Sequence, residues 1–148
     1  MSTLILEVFR LNGRLLAAGD GLVAELGLTS ARWQVLGAIA LSPAAEPVAR
    51  LARNMGLNRQ GVQRIVGELA EEGFIQFQEN PHHRRAKLVT LTARGRKAYD
   101  AADRLQRPWV NALSKGLDAG GIVAASHIIE VLRKRLEGDV SRPTQEQG

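Results

Sequence analysis

The sequence predicts an α+β fold that is mostly helical, because the spacing of its apolar residues changes once along the chain. Near both ends, apolar residues recur every three or four positions, which is the period of an amphipathic helix. Between residues 75 and 91 the period becomes two, which is typical of strands. The chain has 148 residues, of which 45% are apolar, so it can bury one core and carry additional helices.

The first predicted helix carries a heptad-like apolar stripe. Its members are separated by four, three, four, three and four positions: Leu4, Val8, Leu11, Leu15, Ala18 and Leu22. An unbroken helix is less favoured at Gly13, Gly19 and Gly21. A glycine inside a helix lowers helix stability by about 1 kcal/mol relative to alanine. Since a long apolar stripe on a small chain needs a covering surface, we expect a second copy of the chain to cover it.

Two shorter helices follow in the sequence. Thr29 is a suitable N-cap for the first of them, which Ser42 and Pro43 end. Pro47 suits the first turn of the other, and Gly56 suits its C-terminal end.

A fourth helix and a hairpin come next. Asn58 can cap a helix over about 59–72, whose apolar residues form one inward stripe. Strands are predicted at 75–79 and 87–91, and the loop 80–86 between them is too long for a two-residue turn. Helix, short turn, helix and hairpin together predict a winged helix-turn-helix.

The C-terminal part predicts two more helices. Thr92 can cap the first, which we expect to be broken or kinked near Pro108. The second carries another stripe at spacings of three and four: Ile122, Ala125, Ile129, Leu132 and Leu136.

The predicted organisation is a single domain over 1–138. The winged helix-turn-helix occupies about 29–92, dimerisation helices occupy 1–27 and 93–138, and 139–148 is a polar tail. The candidate dimer-interface residues are Leu4, Val8, Leu11, Leu15, Ile122, Ile129, Leu132 and Leu136.

Composition narrows the classes of function. The longest apolar run, 35–41, is far shorter than the roughly 18 residues of a membrane span. The first ten residues do not resemble a signal peptide, and the chain has no cysteine, so we expect a cytoplasmic protein without disulfides, thiolate zinc sites or thiol redox sensing. A glycine-rich phosphate loop and a His-Glu-x-x-His zinc motif are also missing. An enzyme is therefore not expected.

The positive charge is concentrated in one segment. Ten basic and four acidic residues lie between Pro47 and Lys97, which gives this segment a net charge of +6, whereas the whole chain has +5. A polyanion such as DNA is expected to bind there.

The outward face of the fourth helix carries side chains that can read bases in the major groove. Arginine can make two hydrogen bonds to guanine and glutamine two to adenine. The recognition-helix candidates are Asn58, Arg59, Gln60, Gln63 and Arg64. In the hairpin loop, Arg84 and Arg85 can enter an adjacent minor groove and Lys87 can contact a phosphate.

Residues 28–95 resemble the MarR family of bacterial regulators (multiple-antibiotic-resistance regulators). The matching residues are Leu28-Thr29, Trp33-Gln34-Val35-Leu36, Leu51-Ala52, Met55-Gly56-Leu57, Val62, Leu69, 72–75 and 84–95. The resemblance implies a winged-helix homodimer that binds a palindromic operator, usually as a repressor that a small-molecule effector releases. It also implies an effector pocket near Trp33, although core packing is the more common role of such a tryptophan.

The predicted wing departs from the family pattern at two positions. Asn80 and His83 stand where the family usually has aspartates, the second of which commonly orients a wing arginine. The orientation of Arg85 is therefore open: His83 can form a hydrogen bond instead, or the wing is looser.

Other interpretations remain open. A non-specific or architectural DNA-binding protein would rely on phosphate contacts alone, and a winged helix used for protein–protein contact would not bind DNA. A metal site at His82 and His83 is not expected, because the neighbouring residues are positively charged and the chain has only three histidines. No cofactor is expected.

Overall fold

The computed structural model describes residues 1–140, with side-chain surroundings through residue 138. In chain order the elements are α1 (Ser2–Val23), a single-turn 3-10 helix (Ala24–Leu26), α2 (Ser30–Leu41), β1 (Glu46–Pro47), α3 (Val48–Met55), α4 (Arg59–Glu71), β2 (Ile75–Gln78), β3 (Leu88–Leu91), α5 (Ala93–Leu113) and α6 (Ala119–Val140). The mostly helical α+β fold with a winged helix-turn-helix is confirmed.

The helix ends follow local chemistry. Thr29 Oγ1 accepts a hydrogen bond of 3.2 Å from the Arg32 backbone N–H and so caps α2. Gly56 ends α3 in the left-handed region at a φ of 65°, which glycine adopts without a steric penalty. Pro47 lies in β1, one residue before α3, and not in the first turn of that helix.

The three strands form an antiparallel sheet in the order β1-β3-β2. Phe77 on β2 pairs with Val89 on β3, which in turn pairs with Glu46 on β1. The loop between β2 and β3 is the wing. Sequence analysis missed β1, because two residues are too few to show an alternating pattern.

One hydrophobic core holds α4 in place. All four residues of its apolar stripe are buried: Val62, Ile65, Val66 and Leu69. Leu36 of α2, Leu51 of α3 and Val89 of β3 are fully buried in the same cluster. Burying these side chains fixes the rotation of α4, so its opposite face is exposed.

A close backbone approach joins the start of α5 to the residues that follow α4. Thr92 Oγ1 donates a hydrogen bond of 2.6 Å to the Gly73 carbonyl oxygen and accepts one of 3.1 Å from Gly95 N–H. A Cβ at position 95 would overlap the carbonyl oxygen of Phe74, so only glycine fits there. The Arg94 guanidinium lies 4.6 Å from the centre of the Phe74 ring.

The chain divides into two compact units, one comprising Met1–Trp109 and the other beginning at Val110. Helix α5 is continuous through Pro108 to Leu113, so the proline does not end the helix. Helix α6 includes Asp139 and Val140, and residues 141–148 of the predicted polar tail lie outside the described residues. No helix within the described range is long and apolar enough to cross a membrane.

Candidate nucleic-acid interface

The outward face of α4 carries four of the predicted base-reading residues. All four side chains are exposed: Arg59, Gln60, Gln63 and Arg64. They lie opposite the buried stripe of α4, as its helical periodicity predicts.

The start of α4 and the wing line the same groove. The groove has a volume of about 290 Å³ and is lined by Arg59 and Gln63 of α4 and by Arg85 and Lys87 of the wing, beside Phe77. Its lining includes three cationic side chains and no acidic one. Such a surface can bind a phosphodiester backbone and present an amide next to it.

The other predicted residues lie outside this groove. Asn58 Oδ1 accepts a hydrogen bond of 3.2 Å from Gly61 N–H, so this side chain caps α4. Arg84 is exposed in the wing loop. Arg64 donates a hydrogen bond of 2.7 Å to Glu68 one turn later in α4.

An ion-pair network ties the same helix to α2. The side chain of Arg32 is only 17% exposed, and its nitrogen atoms lie 3.2 Å from Glu68 and 2.8 Å from Glu72. Hydrogen bonds from Arg32 and then from Arg64 lower the pKa of Glu68. The bond to Glu72 is the largest cause that raises the pKa of Arg32. The spacing of Arg64 and Glu68 is visible in the sequence, whereas the contribution of Arg32 is not.

Side chains close the wing loop through backbone contacts. Asn80 donates a hydrogen bond of 2.9 Å to the Ala86 carbonyl oxygen and accepts one of 3.0 Å from His82 N–H. His83 Nδ1 accepts a hydrogen bond of 3.2 Å from Ala86 N–H. Thus His83 does form a hydrogen bond, but with the backbone. Among the described residues, neither Asn80 nor His83 bonds to the side chain of Arg85.

No metal site is found in the part of the chain that the structure describes. No group of three or more histidine, aspartate or glutamate side chains there lies close enough together to hold a metal ion. His82 and His83 are both exposed in the wing loop.

A second cavity lies at Trp33, the residue predicted for an effector pocket. Its volume is about 390 Å³, and Trp33 of α2 lines it together with Tyr99 and Trp109 of α5. Polar side chains of three helices also reach it: Asn12, Gln34 and Gln106. Sequence analysis predicted only Trp33 here, because residues from distant parts of the chain meet at this cavity.

The predicted dimer-interface residues differ in exposure. On α1, Leu11 and Leu15 are exposed while Leu4 and Val8 are half-buried, and Leu15 also lines the cavity. On α6, three are exposed and Leu132 is half-buried; the exposed ones are Ile122, Ile129 and Leu136. Apolar side chains that remain exposed in such numbers are typical of a surface that a partner covers.

The sequence is similar to those of known bacterial proteins. A sequence model of the MarR family matches residues 26–86. An uncharacterized protein of Mycobacterium tuberculosis is 35% identical over 124 residues, which cover 84% of this chain and 85% of that protein. The transcriptional activatory protein BadR of Rhodopseudomonas palustris is 28% identical over 137 residues, with 90% of this chain and 77% of that protein covered.

The fold is also that of solved regulators. The M. tuberculosis transcriptional regulator MosR, solved in complex with DNA, has a TM-score of 0.76 at 24% identity, covering 90% of this chain and 96% of that chain. CouR from Rhodococcus jostii, solved with p-coumaroyl-CoA bound, has a TM-score of 0.68 at 22% identity, covering 94% of this chain and 92% of that chain. Family and fold are those of transcription regulators and not of enzymes. The chain belongs to the MarR family of transcriptional regulators.

Proposed function

We propose that the protein is a sequence-specific repressor that binds a palindromic operator as a homodimer and is released by a small-molecule effector. The observation that carries this proposal is the groove in which Arg59 and Gln63 of α4 meet Arg85 and Lys87 of the wing. It combines side chains that can read bases with side chains that can hold the backbone. The proposal includes a cytoplasmic location and no catalytic activity.

Each protomer would insert α4 into a major groove. Arg59, Gln60, Gln63 and Arg64 then face the base edges, where each bidentate pair contributes about 1–3 kcal/mol of discrimination. Lys87 would bind a phosphate, and Arg84 and Arg85 would enter the neighbouring minor groove. Asn58 lies at the start of α4, where its amide can reach the backbone while its oxygen caps the helix.

A homodimer would pack the exposed apolar side chains of α1 and α6 against their copies in a second chain. The two recognition helices would then lie about 34–36 Å apart, one turn of DNA, and read an inverted repeat. In this organisation 29–92 is the DNA-binding part, while 1–27 and 93–138 make the dimer.

The effector would act through the cavity at Trp33, because a ligand shifts an equilibrium only when it prefers one of the states. Binding there would favour a spacing of the two recognition helices that does not fit the operator. The complex of CouR with p-coumaroyl-CoA supports the idea that this fold accommodates a ligand. BadR is a transcriptional activatory protein, so the sign of regulation is tested by transcription with and without the protein.

Selection of bound duplexes from a random DNA pool tests the proposal. We expect an inverted repeat that binds at least about 1000-fold more tightly than a scrambled duplex at the same salt concentration. An enriched pool without a consensus, with equal salt dependence for both duplexes, would instead identify an architectural DNA-binding protein. No binding at low salt would leave protein–protein contact as the role of the winged helix.

Two variants that each remove one arginine test where DNA binds. Arg59→Ala removes a cation from the groove, whereas Arg104→Ala removes an exposed cation from α5 that does not line the groove. We expect Arg59→Ala to weaken operator binding by 10-fold or more and Arg104→Ala by no more than about two-fold. Equal losses would mean that net charge alone governs binding.

Sedimentation tests the dimer. We expect Leu11→Glu or Ile129→Glu to convert the dimer into monomers and to abolish operator binding. Leu41→Glu is the control, since Leu41 is an exposed leucine at the end of α2 that belongs to neither stripe. A monomeric wild-type protein that still binds the inverted repeat would contradict this part of the proposal.

A further inference from the structure

Both tryptophans and the single tyrosine of the chain line the cavity at Trp33. These three residues are Trp33, Tyr99 and Trp109. The volume of about 390 Å³ lies within the range of small-molecule sites, which is about 300–1000 Å³. Trp33 and Tyr99 pack against the hydrophobic core and also line this open space.

The charge of the cavity lining is the second observation. None of the eleven lining residues carries a charge at neutral pH. Asp20 does not line the cavity, and its Oδ1 accepts a hydrogen bond of 2.7 Å from Ser30 N–H. The Ser30 hydroxyl is also used, donating a hydrogen bond of 2.6 Å to the Leu16 carbonyl oxygen.

Three carboxamides provide the remaining polar groups of the lining. Within residues 1–138, the side chains of Asn12, Gln34 and Gln106 form no hydrogen bond with the protein. A carboxamide offers both a donor and an acceptor, so it can satisfy a neutral polar group of either kind. It cannot neutralise a carboxylate or a phosphate.

We propose that the effector site selects an uncharged, planar aromatic molecule with hydrogen-bonding substituents, and discriminates against the corresponding anions. The rings of Trp33 and Trp109 favour a flat aromatic ligand, and the carboxamides pair with its neutral polar groups. An anion would lose hydration without gaining a cationic partner among the eleven lining residues of this chain, which is unfavourable in a largely apolar site. This inference rests on the proposed function, because it assigns the ligand class of the proposed effector site.

A matched pair of probes tests the ligand class. The probes are 2-naphthamide and 2-naphthoate, which share one ring system and differ in charge. Calorimetry, and not tryptophan fluorescence, gives the affinity of each probe, because the naphthalene ring absorbs and emits light where tryptophan does. We expect the dissociation constant of 2-naphthamide to be at least about 10-fold lower than that of 2-naphthoate. Equal affinities, tighter binding of the anion or no binding of either probe at millimolar concentration would overturn the proposal.

Variants of the lining test the role of the carboxamides. Gln34→Met and Gln106→Met keep the length of the side chain and remove its hydrogen-bonding groups, while Gln76→Met, at an exposed glutamine of β2 outside the cavity, is the control. We expect each lining variant to weaken 2-naphthamide binding at least five-fold without changing the melting temperature, and the control to bind as the wild type does. Unchanged affinity in both lining variants would overturn recognition by carboxamides.

A cavity-filling variant separates the ligand site from the DNA-binding role. Gly37 lines the cavity, and a Cβ there would lie in ordinary contact at 3.5 Å from the Tyr99 ring, so Gly37→Leu places its additional atoms in the cavity. We expect Gly37→Leu to abolish probe binding while it keeps operator binding. Probe binding is measured without DNA, so a wild type that binds 2-naphthamide but no operator would contradict the proposed function alone. Unchanged probe binding by Gly37→Leu would contradict the assignment of the site.

Discussion

Arg64 and Glu68 form a hydrogen bond of 2.7 Å along α4, and Glu68 also accepts a bond of 3.2 Å from Arg32 of α2. The arginine predicted to read a base is thus already paired in the free protein. In the proposed complex, Arg64 would exchange its bond to Glu68 for two hydrogen bonds with guanine, while Arg32 would keep its own bond to Glu68. We therefore expect Glu68 to oppose the proposed DNA binding through both its charge and its bond to Arg64.

We predict that Glu68→Gln binds the operator several-fold more tightly than the wild type. The substitution removes a negative charge one turn from the base-reading face and releases Arg64, while Arg32 keeps its bond to Glu72. Equilibrium binding at a fixed salt concentration measures the change. The control is Glu71→Gln, which removes the same charge from an exposed position on α4. Equal affinities of the two variants would mean that the release of Arg64 has no effect.

The same glutamate makes stability depend on pH. Its pKa is lowered in the folded state, first by the hydrogen bond from Arg32 and then by the one from Arg64. The stabilisation is therefore present above the pKa of the unfolded chain and is lost as the pH falls through the lower, folded value. We predict that the free energy of unfolding of the wild type approaches that of Glu68→Gln as the pH falls from 7 to about 3. Urea unfolding of both proteins measures this, and a constant difference between them would contradict the linkage.

Two substitutions of Asn58 separate helix capping from DNA contact. Asn58→Ala removes the acceptor for Gly61 N–H and should lower the free energy of unfolding by about 1 kcal/mol. Asn58→Asp keeps the acceptor and adds a negative charge that is favourable at a helix N-terminus, so stability should be retained. We predict that Asn58→Asp nevertheless weakens operator binding more than Asn58→Ala does. If Asn58→Asp binds as the wild type does, the N-terminus of α4 does not face DNA.

The sequence alone predicted those structural features that depend only on residues close together in the chain. Thr29 and Asn58 cap their helices as expected, because capping needs only a side-chain oxygen within hydrogen-bond reach of the next turn. The rotation of α4 was predictable for a similar reason, since the spacing of Val62, Ile65 and Leu69 defines its buried face.

Features that join distant residues could not be predicted in this way. Arg32 and Glu68 are 36 positions apart, and no local pattern indicates their ion pair. The cavity joins Trp33 of α2 with Tyr99 of α5, so only the folded chain shows that both line it. Gly19 was interpreted as a cost to helix α1, although a Cβ at that position would overlap Ser30 Oγ.

We predict opposite effects on stability for alanine at two glycines. Gly95→Ala places a Cβ on the carbonyl oxygen of Phe74, so the contact between α5 and the end of α4 must open. A loss of more than about 3 kcal/mol in the free energy of unfolding is expected, as for severe overpacking. Gly67→Ala in α4 meets open space and should gain about 0.5–1 kcal/mol, because alanine favours a helix. Chemical denaturation measures both, and a neutral Gly95→Ala would contradict the close approach.

A double-mutant cycle tests the contact between α1 and α2. A Cβ at Gly19 would overlap Ser30 Oγ, whereas the Ser30 Cβ lies 3.4 Å from that position. Gly19→Ala should therefore be strongly destabilising by itself and less so when combined with Ser30→Ala, which removes the overlapping oxygen. Ser30→Ala alone should cost about 1 kcal/mol, because the hydrogen bond to the Leu16 carbonyl oxygen is lost.

We expect a coupling energy of about 1–2 kcal/mol from the four free energies of unfolding, a magnitude typical of residues in direct contact. Gly13→Ala serves as the control in both backgrounds, since a Cβ at Gly13 meets no atom within 4 Å. Additive effects of Gly19→Ala and Ser30→Ala would contradict a direct overlap between a side chain at position 19 and Ser30 Oγ.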